Sequence, residues 1–219
     1  MELVQEKLDF LVDLVNDDNW QQVLSDNKII TQKRSLPNSS IDCFRSYGMV
    51  NSTCEELMEF IWDTYSDKDS IKIYDPDVVE YNIVENTDNN TDNNIDNNTR
   101  ICHQINNLPW PIWPRESVYL QKRLIREDAS YILMYSVETN ATPIQSDKFV
   151  RTNINISAYV LIPQKASDES GCMVYRIAHV DPAGSIPIGV VNSYASKTAN
   201  MIRHLQSKYN RLVEVVIDE

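Results

Sequence analysis

Residues 173–212 constrain the fold of this chain more than any other stretch. The run Met173-Val-Tyr-Arg-Ile-Ala-His-Val-Asp-Pro-Ala-Gly-Ser-Ile-Pro-Ile-Gly-Val-Val-Asn192 reads as a strand, a sharp turn and the start of one long closing helix that continues to about Leu212. Asp181-Pro182 and Gly184 stop the strand, because proline cannot continue a ladder and glycine accepts a positive φ. Pro187 then stands where the first helical turn tolerates a missing N–H. The helix carries apolar residues at helical spacing, many of them small or aromatic. Laid across an antiparallel sheet, such a helix can act as a lid over a cavity.

What precedes it supplies the sheet. Leu3, Val4, Leu8, Leu11, Val12 and Val15 recur at helical spacing and predict a first helix over 2–17. Residues 20–35 and 41–50 read as two strands joined by the turn Pro37-Asn38-Ser39-Ser40. Ser52 or Thr53, with Glu55 or Glu56 three residues on, forms a capping box for a helix over 54–65. Strands follow near 78–84, 100–106, 117–126, 131–139, 149–163 and 171–180, with short or turn-rich links that imply antiparallel pairing. In 149–163 the pattern puts Val150, Thr152, Ile154, Ile156, Ala158, Val160 and Ile162 on one face. Arg151, Asn153, Asn155, Ser157 and Tyr159 fall on the other. The Asn-rich stretch 86–99 lacks the apolar content to offset ordering entropy and reads as a disordered loop between two strands. The fold class is α+β, with one domain over residues 1–219.

Composition narrows the function. No apolar run reaches the ~18 residues of a membrane span. The acid-rich N-terminal helix is the opposite of a signal peptide, so the expected compartment is the cytosol. Net charge is −12, from 20 basic and 32 acidic residues, which argues against nucleic-acid binding. Against that background, 187–212 holds Lys197, Arg203, Lys208 and Arg211 and no acid. Two readings stand: a solvated helix face whose cations suit the C-terminal dipole, or a surface for anionic lipid headgroups. The four cysteines are widely spaced, with neither a CxxC pair nor a Cys/His cluster, and read as free thiols. His103, His179 and His204 stand in no HExxH or GxSxG pattern. Neither catalysis nor a cofactor or metal is therefore expected.

Three anchors, Tyr74-Asp-Pro-Asp-Val-Val-Glu80, Pro109-Trp-Pro-Ile-Trp-Pro-Arg-Glu-Ser-Val-Tyr119 and His179-Val-Asp-Pro-Ala-Gly-Ser-Ile-Pro187, occur in the order and spacing of the StAR-related lipid-transfer (START) domain. The chain resembles that family over almost its whole length, and most of all its phosphatidylcholine transfer protein branch. The resemblance implies a helix-grip fold: a curved antiparallel sheet wraps the C-terminal helix and encloses a tunnel for one lipid, carried without catalysis. It implies a monomer that meets membranes transiently, as a peripheral cytoplasmic protein, with a phospholipid favoured over a sterol or ceramide. A non-transferring lipid sensor, or a cyclase or hydrolase on the same fold, is the alternative.

The resemblance also implies site residues. The loop between the fifth and sixth strands would be the gate, which places Trp110, Ile112 and Trp113 at its tip. Those residues either pack on the domain or dip into the bilayer interface, where indole is at home. Lys197 and Arg203 would face the membrane from the closing helix, while Val191, Tyr194, Thr198 and Ile202 would touch ligand. The branch's choline cage falls near Gln104, Ser117 and Asn155, none aromatic, and its phosphate-pairing arginine falls at Ile71. Asp75 matches that arginine's acidic partner. Gln121 occupies the cavity-arginine position of the sterol branch. Gln104, Tyr119, Gln121, Arg123 and Asn155 are the remaining candidate lipid contacts.

Overall fold

A computed structural model describes the chain except residues 1, 27, 87–97, 141, 143–147, 167, 168, 185, 187 and 210–219. The side chains of 86, 165, 166, 169, 170 and 188–194 are likewise not described. The expected disordered loop over 86–99 thus lies mostly outside the described residues.

The elements run α1 (Glu2–Asn16), β1 (Gln21–Asp26), β2 (Ile29–Ser35), β3 (Asp42–Val50), α2 (Cys54–Thr64) and α3 (Lys68–Lys72). The second half holds β4 (Val78–Asn86), β5 (Thr99–Asn106), β6 (Arg115–Ile125), β7 (Ser130–Ser136), β8 (Val150–Arg151), β9 (Asn153–Ala166), β10 (Glu169–Asp181) and α4 (Ile188–Tyr209). The strands form one sheet in the order β1-β2-β3-β10-β9-β7-β6-β5-β4, antiparallel throughout. The two-residue β8 pairs in parallel with β6 off this path. The α+β helix-grip architecture is therefore present. Residues 20–35 form a hairpin rather than a single strand, because Lys28 takes a left-handed turn conformation (φ 65°).

The sheet is covered on both faces. On one, Leu8, Leu11 and Leu14 of α1 pack against Leu133, Ile156 and Ile177. α1 carries no basic residue in its last turn. Arg45 of β3 supplies the cation instead: its Nη1 donates to the carbonyls of Leu14, Val15 and Asp17 at 2.9–3.2 Å, and its guanidinium lies 4.5 Å from the Trp20 ring. It thereby satisfies helix-end carbonyls that have no intrahelical donor. On the other face, Leu57 and Ile61 of α2, Ile71 of α3 and Ile202 and Leu205 of α4 meet Val78, Cys102, Met134 and Val174. Thr53 caps α2, accepting from the Glu56 N–H at 3.2 Å, and the Glu56 carboxylate turns back to the Ser52 hydroxyl at 2.6 Å. α4 lies close on β3 because Gly48 has no side chain: a Cβ there would stand 3.1 Å from Gln206 Nε2 and 3.2 Å from the Lys28 carbonyl.

The alternation read from 149–163 breaks in the middle. His179 pairs with Ile156, and Val180 pairs with Ile154, so Asn155 is an extra residue on β9. Such a bulge reverses which face each later side chain takes. Thr152 and Ile154 point to the α4 side. Beyond the bulge Ile156, Ala158 and Val160 pack under α1, while Ser157 and Tyr159 join Thr152 and Ile154. The single apolar face expected from Val150 to Ile162 is corrected accordingly.

Candidate functional site

Between the α4 face of the sheet and the helices lies an internal cavity of about 170 Å³. Its apolar part is Ile71, Leu108, Met134, Ile154, Val180 and Met201. Its polar part is unusually rich in hydroxyls: Tyr65, Tyr74, Tyr119 and Tyr159, with Ser117, Thr152 and Ser157. Burial pushes the phenols of Tyr65, Tyr74 and Tyr119 above their ordinary range, so they stand neutral as hydrogen-bond donors.

One wall is a continuous hydrogen-bond chain that runs from the sheet to the closing helix. Tyr119 Oη donates to Gln104 Oε1 (3.0 Å), Gln104 Nε2 to Asn106 Oδ1 (2.8 Å), and Asn106 Nδ2 to Asp75 Oδ2 (3.0 Å). Lys197 Nζ of α4 then donates to Asp75 Oδ1 (3.2 Å) and pairs with Asp77 Oδ2 (2.7 Å). Burial opposes the Lys197 charge, but the two carboxylates outweigh it and raise its pKa. A second tie lies one residue on. Thr198 Oγ1 is 2.7 Å from Ser46 Oγ, which is 2.8 Å from Thr31 Oγ1.

Arg115, which also lines the cavity, holds two segments together. It donates to the carbonyl of Trp113 (2.7 Å) and to those of Pro182 (2.6 Å) and Ala183 (3.0 Å) in the turn before α4. In that turn Asp181 Oδ1 accepts from the Ala183 N–H, and Ala183 and Gly184 both have positive φ (53° and 68°). The loop between β5 and β6 follows the fifth strand, as expected, and contributes Leu108 to the cavity lining. At its tip Trp110 is 92% and Trp113 54% exposed, with Ile112 half-buried and the Trp110–Pro111 peptide cis. Trp110 thus stands clear of the domain, while Trp113 keeps nearly half of its surface covered.

The cavity brings together Asp75, Gln104, Tyr119 and Thr198 from the expected lipid contacts, and Lys197, expected at the membrane face, lines it too. It leaves out others. Gln121 is fully buried, but its Oε1 accepts from Arg100 (2.7 Å), which stacks on Trp62 at 4.0 Å. Arg123 forms a two-pronged pair with Glu59 (2.8 and 2.9 Å) on α2. Both fasten α2 to the sheet. Asn155 is carried by the bulge to a depression beside α1, and Ile202 packs in the core without lining the cavity. The side chains of Val191 and Tyr194 lie outside the described residues. Lys197 turns inward and Arg203 pairs with Asp26 of β1 (3.3 Å), while Lys208 sits 3.7 Å over the Phe60 ring. Six and five residues apart, these cations are turned roughly 240° and 140° about the helix at 3.6 residues per turn, so they do not share one face. Arg211 lies outside the described residues.

The sequence reading missed Arg176, Tyr65, Tyr159 and Ser157. Arg176 had a visible signal: a charge between Val174 and Ala178 on a strand otherwise apolar on that face.

Among the described residues, no cluster of His, Cys, Asp and Glu could hold a metal, and no helix is long and apolar enough to cross a membrane.

A sheet that grips a C-terminal helix across an internal cavity is the architecture of a ligand-enclosing helix-grip domain. The START domain model matches residues 3–214, and the chain belongs to that family. Among solved structures, human StAR-related lipid transfer protein 5 is similar with a TM-score of 0.76 at 18% identity, covering 96% of both chains. Human STARD10 is similar at 0.71 and 19%, over 94% of this chain and 78% of that one. The human StarD13 (DLC2) lipid transfer and protein localization domain gives 0.67 and 16%, over 95% and 97%. At these identities the likeness establishes the fold. No curated protein matches by sequence.

Proposed function

We propose that this protein takes one lipid into the cavity and carries it between membranes, without catalysis, as a cytoplasmic monomer that touches the bilayer only transiently. The observation that carries the reading is a cavity lined in part by Leu108 of a loop that exposes two tryptophans to solvent. Indole is favoured at the water–lipid interface, so Trp110, Ile112 and Trp113 are the membrane contact. The motif likeness to the phosphatidylcholine transfer branch supports a phospholipid over a sterol or ceramide. Polar and apolar side chains together in the lining suit a headgroup and acyl chains.

At about 170 Å³ the enclosed space is below the roughly 300–1,000 Å³ of sites that bury a drug-sized ligand. A two-chain lipid enters only as α4 and the 107–114 loop move outward. Each buried CH₂ gains about 0.8 kcal/mol relative to water, but leaving the bilayer costs nearly the same, so the protein acts on the rate of transfer. Lys197 with Asp75 and Asp77 is the clasp that α4 must release, and Arg115 links the loop to the turn before α4.

Transfer of a fluorescent phospholipid between vesicles tests this. Trp110→Ala combined with Trp113→Ala should slow transfer at least about tenfold, as removal of two interfacial aromatics predicts, with the circular dichroism spectrum retained. An unchanged rate would show that the loop is not the membrane contact.

A further inference from the structure

Resting on the reading of the cavity as a lipid site, the charge inside it identifies the kind of lipid. Arg176 lies at the centre of β10, paired with Tyr159 of β9 on one side and Ser46 of β3 on the other. Its side chain lines the cavity. Nη1 donates to the carbonyls of Ile177 and Ala158 (2.5 and 3.4 Å), and the guanidinium lies 4.7 Å from the Tyr159 ring. Tyr159 Oη is 3.2 Å from Tyr65 Oη, so two phenols stand beside the cation.

No carboxylate lies within 4 Å of Arg176 among the described residues. A guanidinium has five N–H donors and keeps its charge in a protein, and Arg176, half-buried on the cavity wall, is partly desolvated without a counter-ion to offset the cost. Among the described residues, the cavity lining contains the cations Arg115, Arg176 and Lys197 against the single carboxylate Asp75, which Lys197 already holds. A choline headgroup is poorly served there. Tyr159, the ring best placed for a cation, already carries Arg176, and a second cation beside it would be repelled.

We propose that Arg176, with the Tyr65 and Tyr159 hydroxyls, is an oxyanion site, and that the cavity selects lipids of net negative charge. The group recognised is a phosphate with no attached cation, or a fatty-acid carboxylate. An arginine fork presents parallel N–H donors to either.

The test uses the full chain and vesicles of phosphatidylcholine doped equally with phosphatidic acid, oleate and diacylglycerol. After incubation the protein is re-isolated and its bound lipid is quantified by mass spectrometry. An anionic lipid should be enriched over phosphatidylcholine, relative to the vesicle composition, by about tenfold, the scale of a charge-assisted hydrogen bond. Phosphatidic acid enrichment identifies a phosphate, and oleate enrichment a carboxylate. Arg176→Gln should abolish the enrichment, and Arg176→Lys should keep part of it. The lysine variant retains the cation and guards against a loss of fold in the glutamine variant. Phosphatidylcholine taken up in proportion to its abundance, unchanged by Arg176→Gln, overturns the oxyanion site and leaves lipid uptake intact. No lipid of any class on the wild-type chain overturns the lipid reading beneath it as well.

Discussion

The two faces of the sheet are built from the same strands and do opposite things. Under α1 the contact is dry: Leu8, Leu11 and Leu14 are at most 1% exposed against Leu133, Ile156 and Ile177, and the helix end is tied down by Arg45. Under α4 the contact is interrupted by a cavity lined with hydroxyls and charges: Ile202 and Leu205 pack in the core, but side-chain hydrogen bonds, the Lys197 cluster and the Arg203–Asp26 pair also hold the helix. Dry apolar packing resists opening, because exposing it to water is costly at every increment of area. Polar ties release more easily, because water replaces most of each lost bond. The face we propose to open is therefore the α4 face, with α1 as the fixed half.

The largest expected effect falls on the fixed half. Arg45→Met leaves the carbonyls of Leu14 and Val15 in α1, and of Asp17 just beyond it, without this donor and removes the stack on Trp20. It should lower the unfolding free energy by about 3 kcal/mol in a urea titration. Lipid uptake per folded molecule should be unchanged. A matching loss of uptake would mean that the two faces are not independent.

Lys197→Met acts on the opening half. Asp75 and Asp77 lose their shared partner, but all three groups are partly solvated, so the stability cost is only about 1 kcal/mol. Lipid exchange should accelerate, read as faster transfer between vesicles at equal protein concentration. Slower transfer would show that Lys197 promotes opening rather than restraining it.

The smallest effect is a dependence on pH carried by two histidines, His179 and His204. Burial lowers the pKa of His179, beside α1, and of His204, on α4, below the ordinary 6.5, and the nearby Lys208 adds to the shift of His204. In both cases the unfolded chain binds the proton more readily, so stability is full above pH 6.5. It falls as pH drops from 6.5 through the folded-state value. His179→Asn and His204→Asn should each flatten part of this slope in melts run between pH 7 and pH 5. A slope unchanged by either substitution would assign the acid sensitivity elsewhere.

Much of this was legible in the sequence. The helical spacing of Leu8 and Leu11, the Thr53–Glu56 box and the Asp181-Pro-Ala-Gly turn are local signals, and each formed as expected. The loop carrying Trp110 and Trp113 was legible for the same reason: proline and tryptophan in an uncharged segment have few other uses. What local pattern could not give was the register of distant strands. The extra residue at Asn155 is visible only in the pairing of β9 with β10, and it decides that Ser157 and Tyr159, not Asn155, face the cavity. Gln121 and Arg123 look like cavity residues along a strand, but α2 covers them through Trp62 and Glu59, and Glu59 is 64 residues from Arg123 along the chain. The basic run of α4 was a different kind of miss. Its helical angles follow from residue spacing alone, and counting them is enough to separate Arg203 from Lys197 and Lys208, which lie roughly 20° apart about the axis.

The central claim, that the α4 face encloses a lipid, is tested most directly by native mass spectrometry of the purified chain after incubation with mixed phospholipid vesicles. The account predicts a single added mass of one lipid per chain, lost when Trp110→Ala and Trp113→Ala are combined and incubation is short. A spectrum with only the bare chain at every incubation time would contradict it.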